Sequence, residues 1–328
     1  MSEAEAESVT ATTDESAFTR PTRWQRRRRR WAIVCWLVVG LGLLLQLIAR
    51  DGWGMPWNAL FYMLPRPVLC VVALVAVLFT AKPRRRWGWL VAGAVLTWLV
   101  LVDFGWQQAT ARSDNSLRVA VWNVAHLIRG REAAAHVVQT FDADLIGLLE
   151  TRGAKPEHLA EWERLLPGYT AHSSRYGMIW MARRPVTIQP AVELAPNSGC
   201  MAIEFEHDGQ ACRAVLIDIA SSLKVPRIPT LAKCAEIIHT WEACPTLLLG
   251  DFNTPPESRG FDIFRGNYRN AFSERGRGYA ATWPVPFPVL QLDMIWLSSE
   301  WELCNCYHDW SDCSDHRPVV MDVIFRTD

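Results

Sequence analysis

Several short apolar runs in this 328-residue chain end in, or adjoin, an acid, an amide or an imidazole. They read VAVWN to Asn123, DLIGLLE to Glu150, TLLLGDFN to Asp251 and Asn253, LQLD to Asp293, and SDHRPVV, which carries Asp315 and His316. Short runs of branched apolar residues are the pattern of buried strands, and polar groups at strand ends gather at one rim of a sheet. The chain is therefore expected to build one carboxylate-rich, metal-binding pocket from five strand ends. Glu150 is a rigidly placed oxygen ligand of the kind a hard divalent cation such as magnesium requires. Asp251 and Asn253 stand two residues apart, so on an extended backbone both side chains face one way. One could orient a water or take its proton while the other donates to a developing oxyanion. Asp293 could fix the tautomer of the His316 imidazole and stabilise its charged form.

Taken singly, each of these residues is ordinary, because a strand-end Asp caps turns and a lone His is commonly structural. Their setting matters more. From about Leu117 strand and helix alternate: Leu117 to Val124, a helix from Glu132 to Thr140, strand Asp144 to Leu149, and a helix opened by Pro156. Hairpin-like strands follow from Tyr169 to Asp218, turning at His207-Asp208-Gly209. A helix from Ile228 to Trp241 precedes strand Thr246 to Leu249, and short strands near Met294, Trp301 and Pro318 close the chain. Hairpins mixed with helical crossovers imply an α/β sandwich of two sheets faced by helices.

The amino-terminal third has a different composition. Up to Trp106 there are 13 Lys and Arg against 7 Asp and Glu, whereas the rest has 21 against 27, so the zero net charge hides halves of +6 and −6. Trp31 to Ala49 is an uncharged stretch long enough, at about 1.5 Å per residue, to span a bilayer core. Two more apolar spans run over about Trp57 to Ala81 and Trp87 to Trp106, the middle one interrupted by Pro65-Arg66-Pro67. A re-entrant or interfacial segment is the alternative there, with Arg66 snorkelling to a head group. Arg26 to Arg30 and Lys82 with Arg84 to Arg86 fall on one side if there are three spans. The positive-inside rule then makes the amino terminus cytoplasmic. The expected organisation is a disordered cytoplasmic tail over 1–22, a membrane region of about three transmembrane helices over 23–106, a linker over 107–116, and a catalytic domain over 117–328. That domain would lie on the extracytoplasmic side of the cell (inner) membrane. The nine cysteines show no CxxC pair of zinc spacing, and any disulfide pairing is unreadable from sequence.

The order WNV, DLIGLLET, GMIWMARRPV, LLLGDFNTPP, TWPVPFPVLQLDMIWLS, SDHRPVV resembles the endonuclease/exonuclease/phosphatase superfamily over about Leu117 to Phe325. Membrane-anchored bacterial members look particularly similar. The resemblance implies a four-layer α/β sandwich, two packed mixed sheets between helices, and hydrolysis of phosphoesters with Mg2+ or Mn2+. Carried over by motif, Asn123, Glu150 and Asp315 would contact the metal, with Asn123 also at the phosphate. Asp251 would activate or orient water, Asn253 would stabilise the transition state, and Asp293 with His316 would form the carboxylate–imidazole pair.

This chain departs from the family pattern at three places. Asp218 stands where a His is usual in the phrase after strand Ala214 to Ile217, and a carboxylate there repels phosphate unless protonated or bound to a second cation. Ala125, followed by His126, replaces an acidic residue, and Gln291 replaces an Arg. The phosphoester substrate would be nucleic acid, a lipid head group or a small phosphodiester; apart from the lipid bilayer, no protein partner is expected. The −6 balance opposes strong duplex binding, although Arg259, Arg265, Arg269, Arg275 and Arg277 could make a local basic patch. The rival reading is an inactive relative that binds a ligand or partner at the membrane surface.

Overall fold

The computed structural model describes residues 22–54, 57–108, 112–113, 115–153, 155–173 and 177–326. Nearly all of the tail expected over 1–22, and part of the 107–116 linker, lie outside them. Two sheets form the globular part. The first has eight strands in the spatial order Phe104–Trp106, Gly276–Tyr279, Trp301–His308, Val319–Phe325, Leu117–Asn123, Leu145–Leu149, Ile179–Ala182 and Thr170–Ser173. The second runs Tyr268–Asn270, Asp293–Ser298, Thr246–Asp251, Gln210–Asp218, Ser198–His207 and Val186–Ile188, with Val192–Ala195 also paired to Ser198–His207.

Side chains alternate across a strand, so each strand serves two cores. Leu117, Val119 and Val121 enter the apolar layer between the sheets, whereas Ala120 and Trp122 point outward beneath the helices Arg131–Phe141 and Pro156–Leu165. In the second sheet Leu247 and Leu249 face inward, while Leu248 packs outward in the cluster that holds Leu231 and Ile238 of helix Arg227–His239. The result is helix, sheet, sheet, helix, as the alternating sequence implied. Register matters for the site, because continuing each inward column by two residues reaches Asn123, Asp251, Asp218 and Asp293. The apolar layer thus ends in a polar mouth.

The amino-terminal helices are α1 (Arg23–Leu44), α2 (Trp57–Met63), α3 (Arg66–Phe79) and α4 (Lys82–Asp103). Two of them, α1 with its π-helical extension to Ile48 and α4, are long and apolar enough to cross a membrane; α2 and α3 form a pair bent by 79°. The break falls at Pro65, where the missing N–H and the ring prevent a continuous helix. Val39, Ala73, Val77 and Ala92 pack α1, α3 and α4 together, with small residues permitting close approach. Arg28 Nη2 donates to Thr80 O at 3.0 Å, which brings the basic start of α1 to the basic start of α4. Both basic clusters therefore lie at one end of the helices, and the globular domain docks at the other.

That docking is polar and buried. The apolar helix expected to reach Trp106 ends at Asp103, and Phe104–Trp106 becomes an edge strand paired to Gly276–Tyr279. Arg66 is not at a lipid head group. It is buried, donating to Asp103 (Nε–Oδ2 2.7 Å) and to Glu257 of the segment that follows Asn253. Two carboxylates within reach satisfy its guanidinium better than a solvent-exposed head group would, since a buried charge must be paired. Arg50 Nη2 holds Ser258 O at 2.8 Å and Asp262 Oδ1 at 3.0 Å, and Asp51 accepts from Ser258 Oγ and from Arg259 N (2.8 Å). Residues 257–262 are thereby tied to the helix ends by three separate side chains.

Candidate active site

The mouth between the sheets holds a row of three aspartates on adjacent strands. Asp251 is in register with Asp218 on its parallel neighbour and with Asp293 on its antiparallel neighbour. Gly250 permits this pairing, since a Cβ there would meet Ile217 O at 1.8 Å. Like charges side by side are destabilising, so the row needs protons or cations.

His316 supplies one cation. Its Nδ1 lies 2.8 Å from Asp293 Oδ2 and its Nε2 3.8 Å from Asp251 Oδ2. Burial opposes the charged imidazole, yet Asp293 and Asp251 outweigh it and push the His316 pKa up to about 10. The imidazolium that results donates to Asp293. Burial, followed by the Asp293 charge, pushes Asp251 up to about 7. Asp251 Oδ2 accepts from Asn123 Nδ2 at 3.0 Å and Oδ1 from Asn253 N at 2.8 Å, so both oxygens are aimed. Asp218, pressed first by burial and next by the Asp251 and Glu150 charges, is raised well above the carboxylate range.

Asp251, Asp293 and His316 can place one donor atom each within 4.8 Å of one another, a cluster capable of holding a divalent cation. Asp293 is fully buried and its Oδ1 has no hydrogen-bond partner, which leaves an acceptor unfilled. Glu150 and Asp315 are not in that cluster. Glu150, in left-handed conformation (φ 54°), lies 3.3 Å from His126 Nε2, and Asp315 Oδ2 accepts from Trp283 Nε1 at 3.0 Å. Ala125, His126 and Leu127 all have φ between 45° and 55°. Three consecutive non-glycine residues in that region are costly and persist only where surroundings impose them.

Asn253 corrects one expectation. The strand ends at Asp251, and Asn253 turns to φ 45°, so the two side chains do not share an extended face. Asn253 Nδ2 instead donates to Ile219 O at 2.7 Å, which leaves one amide hydrogen for a ligand.

Sequence reading missed several supports. Ser314 Oγ donates to Asn123 O (2.7 Å) and accepts from His316 N (3.0 Å), joining residues almost two hundred positions apart. Thr282 Oγ1 accepts from Asp293 N at 3.2 Å, and Trp122 Nε1 donates to His316 O at 2.9 Å. The Ser of SDHRPV and the Thr of TWP were visible as turn-forming hydroxyls, but not their partners. Arg317 of the same motif is buried and donates to Tyr279 O, Ala281 O, His308 O and Asp309 O, a structural clamp. Two of the five arginines of the expected basic patch are paired with acids, Arg265 with Asp262 and Arg269 with Glu274.

Residues 218–316, which include Asp218, Asp251, Asn253, Asp293, Asp315 and His316, match the sequence profile of the Endonuclease/Exonuclease/phosphatase family. No curated protein matches the chain. An endonuclease/exonuclease/phosphatase family protein from Bacteroides thetaiotaomicron is similar in fold, with 18% identity over 65% of this chain and 98% of that one and a TM-score of 0.54. A mannosyl-6-phosphatase from the same organism aligns at 17% identity over 64% of this chain and all of that one, TM-score 0.53. The human Nocturnin catalytic domain with bound sulfate aligns at 16% over 66% of this chain and 96% of that one, TM-score 0.52. The family match spans residues 218–316, and the solved structures, at 16–18% identity, share the fold of this chain.

Proposed function

We propose that this protein is a membrane-anchored, divalent-metal-dependent phosphoesterase, a phosphodiesterase or nuclease, working outside the cytoplasm. The observation that carries the reading is the buried His316–Asp293 pair beside the doubly oriented Asp251 carboxylate. An inactive relative would have no physical reason to keep so many mutually repelling buried carboxylates.

Asp251, with both oxygens fixed by donors, orients the attacking water and takes its proton. The water oxygen bonds to phosphorus in line as one ester P–O bond breaks, and the alcohol leaves with a proton. His316, charged and held by Asp293, donates to a phosphoryl oxygen; the second amide hydrogen of Asn253 and the amide of Asn123 stand beside it. The donor chemistry fits magnesium or manganese: Glu150 and Asp315 on the open side of the mouth, with the buried Asn123 amide oxygen behind them, would be hard oxygen ligands. Such an ion neutralises charge on the phosphoryl oxygens. A second placement, favoured by the unfilled Asp293 Oδ1, puts the ion in the Asp251/Asp293/His316 cluster, at the cost of the His316–Asp293 bond.

The positive-inside rule, applied to Arg26–Arg30 and Lys82–Arg86, supports a cytoplasmic amino terminus and an outward-facing catalytic domain. The function is tested by hydrolysis of bis-p-nitrophenyl phosphate with the full chain in detergent. Turnover that requires Mg2+ or Mn2+ and disappears with chelator is expected; wild type equal to His316→Ala at background would favour the inactive relative.

A further inference from the structure

A groove of about 910 Å3 opens at the basic end of the helices, opposite the catalytic domain. One wall is a face of α1, with Arg28, Arg29, Ile33 and Trp36; the other is a face of α4, with Arg84, Trp87 and Val91. Positions three or four apart share a helix face, so each wall is basic at the helix start and apolar one or two turns further in. Gly88 brings the walls together at depth, since a Cβ there would stand 3.1 Å from the Trp36 ring. Along α1 the lining runs from Gln25 to Trp36, about 16 Å at 1.5 Å per residue, or roughly half of a bilayer core.

The turn between α3 and α4 closes the groove and fixes its rim. Trp36 Nε1 donates to Thr80 Oγ1 at 3.0 Å, and Arg28 donates to Phe79 O at 3.2 Å and to Thr80 O at 3.0 Å. Those carbonyls position the Arg28 guanidinium without cancelling its charge. Residues 16–50 and 52–102 hold no Asp or Glu. Asp51 and Asp103 are bonded at the opposite end, to Arg259 N and to Arg66. Among the described residues, Arg28, Arg29, Lys82 and Arg84 therefore rim an apolar groove with no acid to neutralise them. Clustered cations above an apolar slot match an anionic head on an aliphatic tail. The acidic residues 1–16 of the same chain match the charge only, since Met1 and Val9 are their sole larger apolar side chains.

Going beyond the phosphoesterase reading, and resting only on the membrane reading of the helices, we propose that this groove holds an anionic phospholipid. Its phosphate lies among Arg28, Arg29, Lys82 and Arg84, and one acyl chain lies against Ile33, Trp36 and Val91. The lipid is a resident ligand that bridges α1 to α4, at the far end of the helices from Asp251 and His316, and is not a substrate. With a cytoplasmic amino terminus it belongs to the inner leaflet, where anionic lipids set a negative surface potential.

The experiment is native mass spectrometry of the full chain released from micelles holding equal amounts of dioleoylphosphatidylglycerol and dioleoylphosphatidylcholine. The anionic lipid should be retained at least about tenfold over the zwitterionic one, given four cations at the rim. Lys82→Gln with Arg84→Gln, two exposed side chains, should remove that preference, as should Val91→Trp, which fills the slot. Arg27→Gln with Arg30→Gln makes the same charge change on the other side of α1 and should leave the preference intact. Glycerophosphoglycerol, the head group without its tails, should not compete. Equal retention of the two lipids, retention of neither, or equal loss in both double variants would overturn the site; the last would mean a diffuse basic surface. Competition by glycerophosphoglycerol as effective as by the lipid would reduce it to a phosphate site and overturn it too. A preference that appears only with Glu3→Gln, Glu5→Gln, Glu7→Gln, Asp14→Asn and Glu15→Gln together would give the groove to the chain's own tail. None of these outcomes touches the catalytic reading, because no turnover is measured.

Discussion

The two sides of the catalytic mouth are built differently. On one side Asp251, Asp293 and His316 are at most 6% exposed and already bonded to one another or to Asn123 and Asn253. On the other, Glu150 and Asp315 are partly open, with their side chains bonded among the described residues to His126 and Trp283 at the rim, beside a run of left-handed backbone. The closed side is held mainly by bonds within itself, although Asp293 Oδ1 has no hydrogen-bond partner. The proposed roles divide the same way, chemistry on the closed side and ion binding on the open one, and each prediction below probes that division.

The largest effect should come from the closed side. His316→Ala and Asp251→Asn should each lower kcat by roughly 10²–10⁴-fold in steady-state assays, the range for positioned acid–base groups, with little change in metal activation. Glu150→Gln should do the opposite. Its maximal rate at saturating Mn2+ should be better preserved, while the concentration for half-activation rises roughly 10–100-fold, as seen when metal sites lose a supporting oxygen. A variant that behaved like His316→Ala in both respects would erase the distinction.

Ser314→Ala should cost about 1–3 kcal/mol by denaturant unfolding, because the His316 N–H and the Asn123 carbonyl lose their shared hydroxyl in a dry site. The smallest effect is on pH. Asp251, raised to about 7, is no liability below about pH 4 and increasingly destabilises the native state as pH climbs toward 7. His316, raised to about 10, contributes stability in full below pH 6.5 and loses it as pH rises through 10. Both act in one direction, so the metal-free protein should melt lower at pH 9 than at pH 5, by a few degrees at roughly 2–4 °C per kcal/mol. Manganese, which competes with protons for carboxylates, should raise Tm more at the higher pH.

Much of the site was legible because strand parity is a local property. The inward column Leu117, Val119, Val121 dictates that Asn123 faces the other sheet, and Leu247 and Leu249 do the same for Asp251. Where the local rule stops, the sequence reading stops too. Asn253 was placed on an extended face, but the ladder ends at Asp251 and the Ile219 carbonyl captures the amide. Arg66 carried no sign of its partners, since Asp103 is 37 positions away and Glu257 is 191. Such long-range polar contacts depend on how the helices meet the sheets, which no window of sequence encodes. Asp218 was visible as an oddity in sequence, and only the register with Asp251 shows it to be one end of a carboxylate row.

The division between the two sides is tested most directly by titrating Mn2+ into the full-length protein and following the free-ion signal by electron paramagnetic resonance. Binding retained in His316→Ala and weakened in Glu150→Gln is the predicted result. Binding lost in His316→Ala and unchanged in Glu150→Gln would place the ion among Asp251, Asp293 and His316, and contradict the assignment of chemistry to one side and metal to the other.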